Sequence, residues 1–186
     1  MSSQKERMLR GELYDPRDEQ LSAERRRARL LTKALNDTSD EQQDERAKLI
    51  RQLIPNAGED LWIEPPFHCD YGSNITLGDR VYFNFNCIVL DVAAVRIGSG
   101  VLFGPNVQIY TASHPLKAID RRTGLEFARP IEIGDDVWVG GGAIICPGVK
   151  IGARSVIGAG SVVTRDIPEA VIAAGNPCRV IRTVDE

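Results

Sequence analysis

Residues 131–163 read IEIGDDVWVGGGAIICPGVKIGARSVIGAGSVV, and this stretch repeats with a period of six residues. One column of the repeat holds only aliphatic residues, at positions 133, 139, 145, 151, 157 and 163. A second column, four residues later, holds small or β-branched residues. A period of six fits neither the 3.6-residue period of an amphipathic helix nor the two-residue period of a long strand. It therefore predicts a solenoid of short strands and tight turns.

The same pattern continues towards the N-terminus, through Leu77, Phe83 and Val89 and, after a two-residue slip, through positions 97, 103 and 109. Strands this short are not stable alone, so each coil has to stack on the next one and bury the aliphatic column inside. Glycine and aspartate follow that column and suit corners, because they tolerate positive φ angles. We predict a mainly β fold, a parallel β-helix of hexapeptide repeats over residues 61–186.

The first 60 residues predict helices instead of coils, and they contain only two of the 17 glycines. Apolar residues recur at helical spacing from Glu19 to Leu35 and from Asp40 to Ile54, and Pro55 ends the second helix. Residues 25–29 form a nearly continuous arginine run. Nearby glutamates argue against a nucleic-acid surface, which leaves a solvated face or a wall beside an anionic ligand. We assign residues 1–60 to an N-terminal helical segment.

The six-residue phase is lost after His114 and returns at Ile131. The residues between them, 115–130, are rich in charge and fit no strand pattern. We expect them to project from the solenoid as a loop. Long loops on a rigid repeat scaffold are places where functional residues concentrate.

Composition and charge narrow the class of protein. The formal net charge is −3, which argues against the broad basic surface that nucleic acid or an anionic membrane requires. No apolar run approaches the length of a membrane span, and the first residues lack the apolar stretch of a signal peptide. The four cysteines form no CxxC pair, and a reducing cytoplasm would keep them as thiols. We expect one main domain in a cytoplasmic protein, with no nucleic-acid or membrane partner.

The chain has only two histidines, His68 and His114, and they lie 46 positions apart. No paired Cys/His spacing supplements them, so we expect no metal site. His114 precedes Pro115, which favours an extended backbone and holds the imidazole at the root of the loop. A histidine there is either an ordinary exposed residue or a general base that works near neutral pH. Spacing alone leaves both readings open.

Positive charge collects near the C-terminus, at Lys150, Arg154, Arg165, Arg179 and Arg182. These residues either bind a phosphorylated ligand or are scattered solubilising charges. The glycine run at 140–142 exceeds what a turn needs, and it indicates either close approach of a ligand or a flattened corner.

Nearly the whole chain resembles the hexapeptide-repeat O-acetyltransferases, and specifically the maltose and galactoside acetyltransferases. The matching motifs are Gly11-Glu12-Leu13-Tyr14, Ile63-Glu64-Pro65-Pro66-Phe67, Cys69-Asp70-Tyr71-Gly72, Asn84-Phe85-Asn86, Leu90-Asp91-Val92, Tyr110-Thr111-Ala112-Ser113-His114-Pro115, Val137-Trp138-Val139-Gly140, Pro147-Gly148-Val149, Gly158-Ala159-Gly160-Ser161 and Ala174-Gly175-Asn176-Pro177-Cys178-Arg179-Val180-Ile181.

The resemblance implies a left-handed coil and a homotrimer, with active sites in clefts between subunits that the loop helps to cover. It implies that His114 is the general base and that an acceptor hydroxyl attacks acetyl-CoA, the cosubstrate, directly. The implied acceptor contacts are Asp70, Asn84 and Asp91. The implied coenzyme contacts are Asn84, Gly104, Trp138, Gly141, Ala159, Thr164, Arg165, Arg179 and Arg182.

Asp70 and Val92 favour the maltose type, because some galactoside-acetylating members carry serine and a second acid there. We therefore expect an acetyl-CoA-dependent O-acetyltransferase that acts on a maltose- or glucose-type sugar. Two alternatives stay open. One keeps the reaction and changes the acceptor to a galactoside, an oligosaccharide, an antibiotic or serine. The other is a scaffold of hexapeptide repeats without catalysis.

Overall fold

The computed structural model describes residues 2–184, which form an N-terminal helical segment and a parallel β-solenoid with one projecting loop. Its helices are α1 Gln4–Leu9, α2 Glu19–Asn36, α3 Gln43–Leu53 and, in the loop, α4 Ala118–Arg121.

The solenoid strands form three sheets. Sheet 1 contains β1 Asn56–Ala57, β4 Ile75–Leu77, β7 Val95–Ile97, β12 Ile131–Ile133 and β15 Lys150–Ile151. Sheet 2 contains β2 Trp62–Ile63, β5 Tyr82–Phe83, β8 Leu102–Phe103, β13 Trp138–Val139, β16 Val156–Ile157, β18 Val171–Ala174 and β19 Arg179–Thr183. Sheet 3 contains β3 Phe67–Cys69, β6 Cys87–Leu90, β9 Gln108–Tyr110, β14 Ile144–Ile145 and β17 Val162–Val163. A separate pair contains β10 Ala112–Ser113 and β11 Phe127–Ala128.

The chain visits sheets 1, 2 and 3 in turn, so each circuit is one triangular coil and neighbouring coils pair in parallel. Ile133, for example, pairs with Ile97 in the coil before it and with Ile151 in the coil after it. Both columns of the six-residue repeat are buried in the interior. The predicted mainly β solenoid of hexapeptide repeats is confirmed.

Corner residues adopt the positive φ angles that the glycine and aspartate pattern predicts. Asp136 has φ 55° and Gly160 has φ 69°. Arg154 takes the same conformation, with φ 59°, although arginine is not favoured there. The backbone geometry of a coil therefore overrides the residue preference at this corner.

The first coil begins earlier than the predicted boundary at residue 60. β1 pairs in parallel with β4, so the solenoid starts at Asn56, directly after Pro55. A two-residue strand at the end of a solenoid contributes few aliphatic residues to the repeat. The six-residue pattern therefore did not predict β1.

The two predicted helices are present as α2 and α3, and α1 is an additional short helix. Ser3 and Glu6 form a capping box at its start, in which the Ser3 hydroxyl accepts from the Glu6 N–H at 3.1 Å. Met8 is its buried residue. Six residues with one buried side chain give no detectable periodicity, which explains why the sequence pattern did not predict α1.

Helices α2 and α3 close the end of the solenoid at the first coil. Leu35 and Leu53 are fully buried and belong to the same apolar core as the solenoid interior. The Asn36 side chain bonds β3, the edge strand of sheet 3: its Oδ1 accepts from the Phe67 N–H at 2.8 Å and its Nδ2 donates to the Phe67 carbonyl at 2.9 Å. One amide thereby replaces the neighbouring strand that β3 lacks.

The segment predicted as a loop, residues 115–130, projects as expected but returns as a strand. β10 and β11 pair antiparallel at its root, with Ser113 opposite Phe127. Tyr14 reaches the loop from the N-terminal segment: its N–H and carbonyl both bond the backbone of Glu126, at 3.0 and 3.1 Å. The loop is therefore fixed at both ends of its root.

Asp91 holds the turn that follows β3. Its carboxylate accepts from the N–H groups of Asp70 at 3.0 Å, Tyr71 at 2.9 Å and Asn74 at 3.3 Å. The side chain has no exposed surface. Burial raises the pKa of Asp91 to about 6, against the opposing effect of these donors.

We predict a pH dependence of stability that belongs to Asp91. An unfolded aspartate titrates near pH 4, so between about pH 4 and pH 6 the folded state holds this proton more tightly. The free energy of unfolding should then fall by up to about 3 kcal/mol as the pH rises through this range. Asp91→Asn cannot titrate and should remove that slope in urea unfolding measured at pH 4, 5, 6 and 7.

The matched control is Asp79→Asn. Asp79 is exposed and accepts one backbone N–H, from Glu59 at 2.8 Å, so its amide keeps the bond. This variant should retain the wild-type slope. An equal slope in wild type and Asp91→Asn would contradict the assignment.

Candidate active site

His114 lies at the root of the loop, one residue after β10, where its sequence position predicts it. Its side chain is 56% exposed. The imidazole Nε2 faces Glu126 Oε1 across 4.0 Å, and the Glu126 side chain is 26% exposed. An exposed imidazole beside a half-buried carboxylate is an arrangement in which the imidazole can act as a general base and the carboxylate can orient it.

A buried tyrosine fixes that carboxylate from the other side. The Tyr14 hydroxyl donates to Glu126 Oε2 at 2.9 Å. Burial and the Glu126 charge raise the pKa of Tyr14, so the phenol stays protonated and remains a donor. A line of contacts therefore runs from the core to the surface, from Tyr14 through Glu126 to His114.

Asp70 lies next to this line. Burial raises the pKa of Asp70, Glu126 raises it further, and Arg25 and Arg29 on α2 oppose the rise. Arg25 is itself fixed, because it donates to the Tyr71 hydroxyl at 2.7 Å. The structure thus brings the predicted acceptor contact Asp70 to the same side of the molecule as His114 and Glu126.

Asp91 does not lie on that surface. It is fully buried, and the bonds to Asp70, Tyr71 and Asn74 take up its carboxylate. The expectation that Asp91 touches an acceptor is therefore wrong for this chain. Its contribution is to hold the turn that carries Asp70, and the family motif that contains it could not distinguish these two roles.

Four predicted coenzyme contacts lie on one corner of the solenoid, between sheets 2 and 3. This corner is called the glycine edge, and it contains Asn84, Gly104, Gly141 and Ala159. The coils are so close here that a Cβ on Gly104 would lie 2.5 Å from the Gly141 nitrogen. Trp138 lies beside this edge on the outer face of sheet 2 and is 55% exposed.

The glycine edge offers free backbone donors. Within residues 2–184, the N–H groups of Gly141 and Ala159 donate to no protein acceptor. At the corner between sheets 1 and 2, side chains occupy such donors: the Ser99 N–H, for example, donates to Asp135 Oδ1 at 2.7 Å. Glycine and alanine have no side-chain acceptor, so at the glycine edge the N–H groups of Gly141 and Ala159 stay available to a ligand carbonyl or oxyanion.

The remaining coenzyme candidates lie elsewhere. Thr164 and Arg165 follow β17 and are exposed at the other end of sheet 3, on the side of His114. Arg179 and Arg182 are exposed on β19, the antiparallel strand that ends sheet 2. The predicted coenzyme contacts of one chain therefore lie in three places: the glycine edge, the corner that follows sheet 3 and the hairpin of β18 and β19.

The histidine and the glycine edge lie at opposite ends of the sheet 3 strands. Gly104 lies before β9 and Thr111 follows it. The extended stretch from Val107 to Thr111 alone, four steps of roughly 3.3 Å, separates the two corners by about 13 Å. A single acetyl group cannot contact both places in one chain.

The described part of the chain contains no group of three or more His, Cys, Asp or Glu residues that could hold a metal ion. None of the helices in residues 2–184 combines the length and the apolar character needed to cross a lipid bilayer.

Sequence reasoning missed Glu126 and Tyr14 as parts of the site. They are 112 positions apart, and Glu126 lies in the segment where the repeat is absent. The only available signal was the motif Gly11-Glu12-Leu13-Tyr14, which gives no indication of what Tyr14 contacts.

Comparison with known proteins identifies the family. Residues 7–58 match the maltose acetyltransferase hexapeptide capping motif, and residues 130–165 match the bacterial transferase hexapeptide of six repeats. Nodulation protein L of Rhizobium meliloti is 48% identical over 96% of this chain and 97% of its own length.

Two solved structures are similar over the whole chain. The maltose O-acetyltransferase from Clostridium difficile 630 is 47% identical with a TM-score of 0.98, and the match covers 100% of this chain and 99% of that one. A galactoside acetyltransferase in complex with coenzyme A is 42% identical with a TM-score of 0.96, over 100% of this chain and 92% of that one. The chain therefore belongs to the maltose and galactoside O-acetyltransferase family of hexapeptide-repeat enzymes.

Proposed function

We propose that this protein transfers an acetyl group from acetyl-CoA to a hydroxyl of a maltose- or glucose-type sugar, with His114 as the general base. The observation that carries the proposal is the exposed His114 imidazole beside Glu126, next to Asp70. The relatives named as maltose O-acetyltransferase and galactoside acetyltransferase support the acceptor class. The four cysteines are free thiols, which fits a cytoplasmic enzyme.

The reaction follows from the groups present. A sugar hydroxyl is a poor nucleophile at neutral pH, so His114 accepts its proton as the oxygen attacks the thioester carbonyl. Glu126 on one side of the ring leaves the other ring nitrogen to accept that proton. The tetrahedral oxyanion is stabilised by the free N–H of Gly141. The carbon–sulfur bond then breaks, and the imidazolium returns its proton to the coenzyme A thiolate.

Acceptor and donor are held by different residues. Asp70 and Asn84 contact the sugar, and Asn84 also lies near the acetyl end. The coenzyme lies along Gly104, Gly141 and Ala159, with Trp138 beside it. Its phosphates are held by exposed cationic or hydroxyl side chains, which are Thr164, Arg165, Arg179 and Arg182.

The site requires a second copy of the chain. Because His114 and the glycine edge lie at opposite ends of the sheet 3 strands, about 13 Å or more apart, a complete site needs the histidine of one subunit and the glycine edge of a neighbour. Closed rings are the usual result of such head-to-tail contacts, and a homotrimer suits a triangular solenoid.

We predict that His114→Ala lowers kcat by about 10²–10⁴, the usual contribution of a positioned general base. Release of coenzyme A thiol with maltose as acceptor measures the effect. Calorimetry with coenzyme A should give wild-type affinity, and added imidazole should restore part of the rate. A variant that acetylates maltose normally would refute the role, and failure of the wild type to bind coenzyme A would favour a scaffold.

We predict that Tyr14→Phe lowers kcat roughly tenfold and leaves the KM for acetyl-CoA unchanged, since a lost hydrogen bond to a charged group costs about 1.5–3 kcal/mol. Tyr14 acts through Glu126, so the same substitution should have little effect in a Glu126→Gln background. Steady-state kinetics of the four proteins make this comparison. Equal losses in both backgrounds would mean that Tyr14 contributes only to folding.

We predict complementation between two inactive variants, His114→Ala and Ala159→Trp. Ala159 is exposed at the glycine edge, so tryptophan there blocks the groove without disturbing the core. When the variants are refolded together in equal amounts, roughly one site in four should combine an intact histidine with an intact edge. Each variant refolded alone is the control. No recovery in the mixed, correctly assembled protein would show that each site belongs to one chain.

A further inference from the structure

A strongly basic groove runs along the exposed face of α2, beside the proposed acceptor site. This basic face contains Arg25, Arg26, Arg29 and Lys33, which line a cavity of ≈ 460 Å³ together with Ser22 and Leu30. None of the described residues that line this cavity is acidic. We propose that the basic face is a subsite for an anionic group, so that the preferred acceptor is an acidic oligosaccharide. This inference rests on the proposed function and adds the charge and length of the acceptor.

The charges of the basic face are only partly used within the chain. Arg25 donates to Tyr71 and Pro16, and Lys33 pairs with Asp37. Arg26 and Arg29 are exposed, and within residues 2–184 neither side chain makes a hydrogen bond or a close ion pair, although Arg29 acts electrostatically on Asp70. Two guanidinium groups on adjacent turns are thus available, and their planar donors suit a carboxylate, phosphate or sulfate.

The groove is continuous with the acceptor site. A second cavity of ≈ 420 Å³ shares Arg29 and Lys33 with the basic face, and its lining also contains Asp37 and Asp70. Glu126 acts electrostatically on Asp70 and lies 4.0 Å from His114. A chain of sugar units can therefore extend from the catalytic imidazole past Asp70 to Arg29 and Arg26.

A merely solvated face fits these observations less well. The chain has a net charge of −3, so a cavity whose described lining contains four cations and no acid is a local exception. The glutamate nearest in sequence, Glu24, pairs away from the groove with Lys5 at 2.6 Å. A nucleic acid needs a broad basic surface, and this groove is too small to provide one. The nearest acids, Asp37 and Asp70, line the neighbouring cavity, where the neutral part of the sugar would bind.

The test compares three acceptors that share a glucosyl unit: maltose, maltobionate with a carboxylate, and maltose 1-phosphate. We expect kcat/KM for at least one acidic acceptor to exceed that for maltose about fivefold to tenfold at low salt, as one charge-assisted contact allows. The advantage should decrease with ionic strength. The variant Arg26→Gln/Arg29→Gln should abolish this advantage. Because Arg29 also acts electrostatically on Asp70, kcat/KM for maltose can change too, but it should fall less than kcat/KM for the acidic acceptor. Which acid is preferred distinguishes carboxylate from phosphate recognition.

A matched control removes two positive charges elsewhere in the same segment. Arg27 donates to the Gln52 carbonyl at 2.8 Å and Arg51 pairs with Glu59 at 2.7 Å, both away from the groove. Arg27→Gln/Arg51→Gln should keep the wild-type preference for the acidic acceptor. If both double variants lost this preference equally, the preference would come from the overall positive charge of the segment and not from the groove. That result would overturn the proposal.

Two further outcomes would also overturn it. One is equal turnover of neutral and acidic acceptors in the wild type. The other is a raised KM for acetyl-CoA in Arg26→Gln/Arg29→Gln, which would assign the basic face to the donor. If no sugar is acetylated, the proposed function fails, and the subsite is then tested alone by calorimetry with maltobionate. Binding by the wild type and not by Arg26→Gln/Arg29→Gln would support it, and absence of binding would refute it.

Discussion

Backbone hydrogen bonding between stacked coils is the constraint on which the rest of this molecule depends. Strands of two to four residues are held mainly by the coils on either side, so every coil has to keep the same phase. Interior positions then repeat as a buried aliphatic column, and corner positions repeat on the outside. The glycine edge is one such corner: Asn84, Gly104, Gly141 and Ala159 are collected from four coils because their phase is fixed.

The helical segment contributes both stability and function. Asn36 supplies the bonds that the edge strand β3 lacks, and Leu35 and Leu53 cover the end of the apolar core. The same segment delivers Tyr14 to Glu126 and presents the arginines of α2 beside Asp70. Elements outside the repeat therefore form the surroundings of Asp70 and Glu126, where the acceptor site is proposed.

The sequence predicts the parts of this protein that obey a period or a motif. The six-residue period was sufficient to predict the solenoid and its buried columns. The interruption of that period after His114 predicted the loop and placed His114 at its root. It could not predict the Tyr14–Glu126 contact, because the packing that joins residues 112 positions apart leaves no local pattern. It also could not separate Asp91 from Asp70, since burial of a carboxylate depends on which backbone donors surround it.

The excursion at residues 115–130 leaves the coil that carries it undisturbed. Ile131 returns opposite Val95, and the next strand continues in the register that the loop interrupted. A detour of this kind can vary in length or composition at little energetic cost to the stack, because only its two ends are anchored. Because this loop also carries Glu126, substitutions or length changes within it can alter the surroundings of the His114 imidazole while the stacked coils keep their structure.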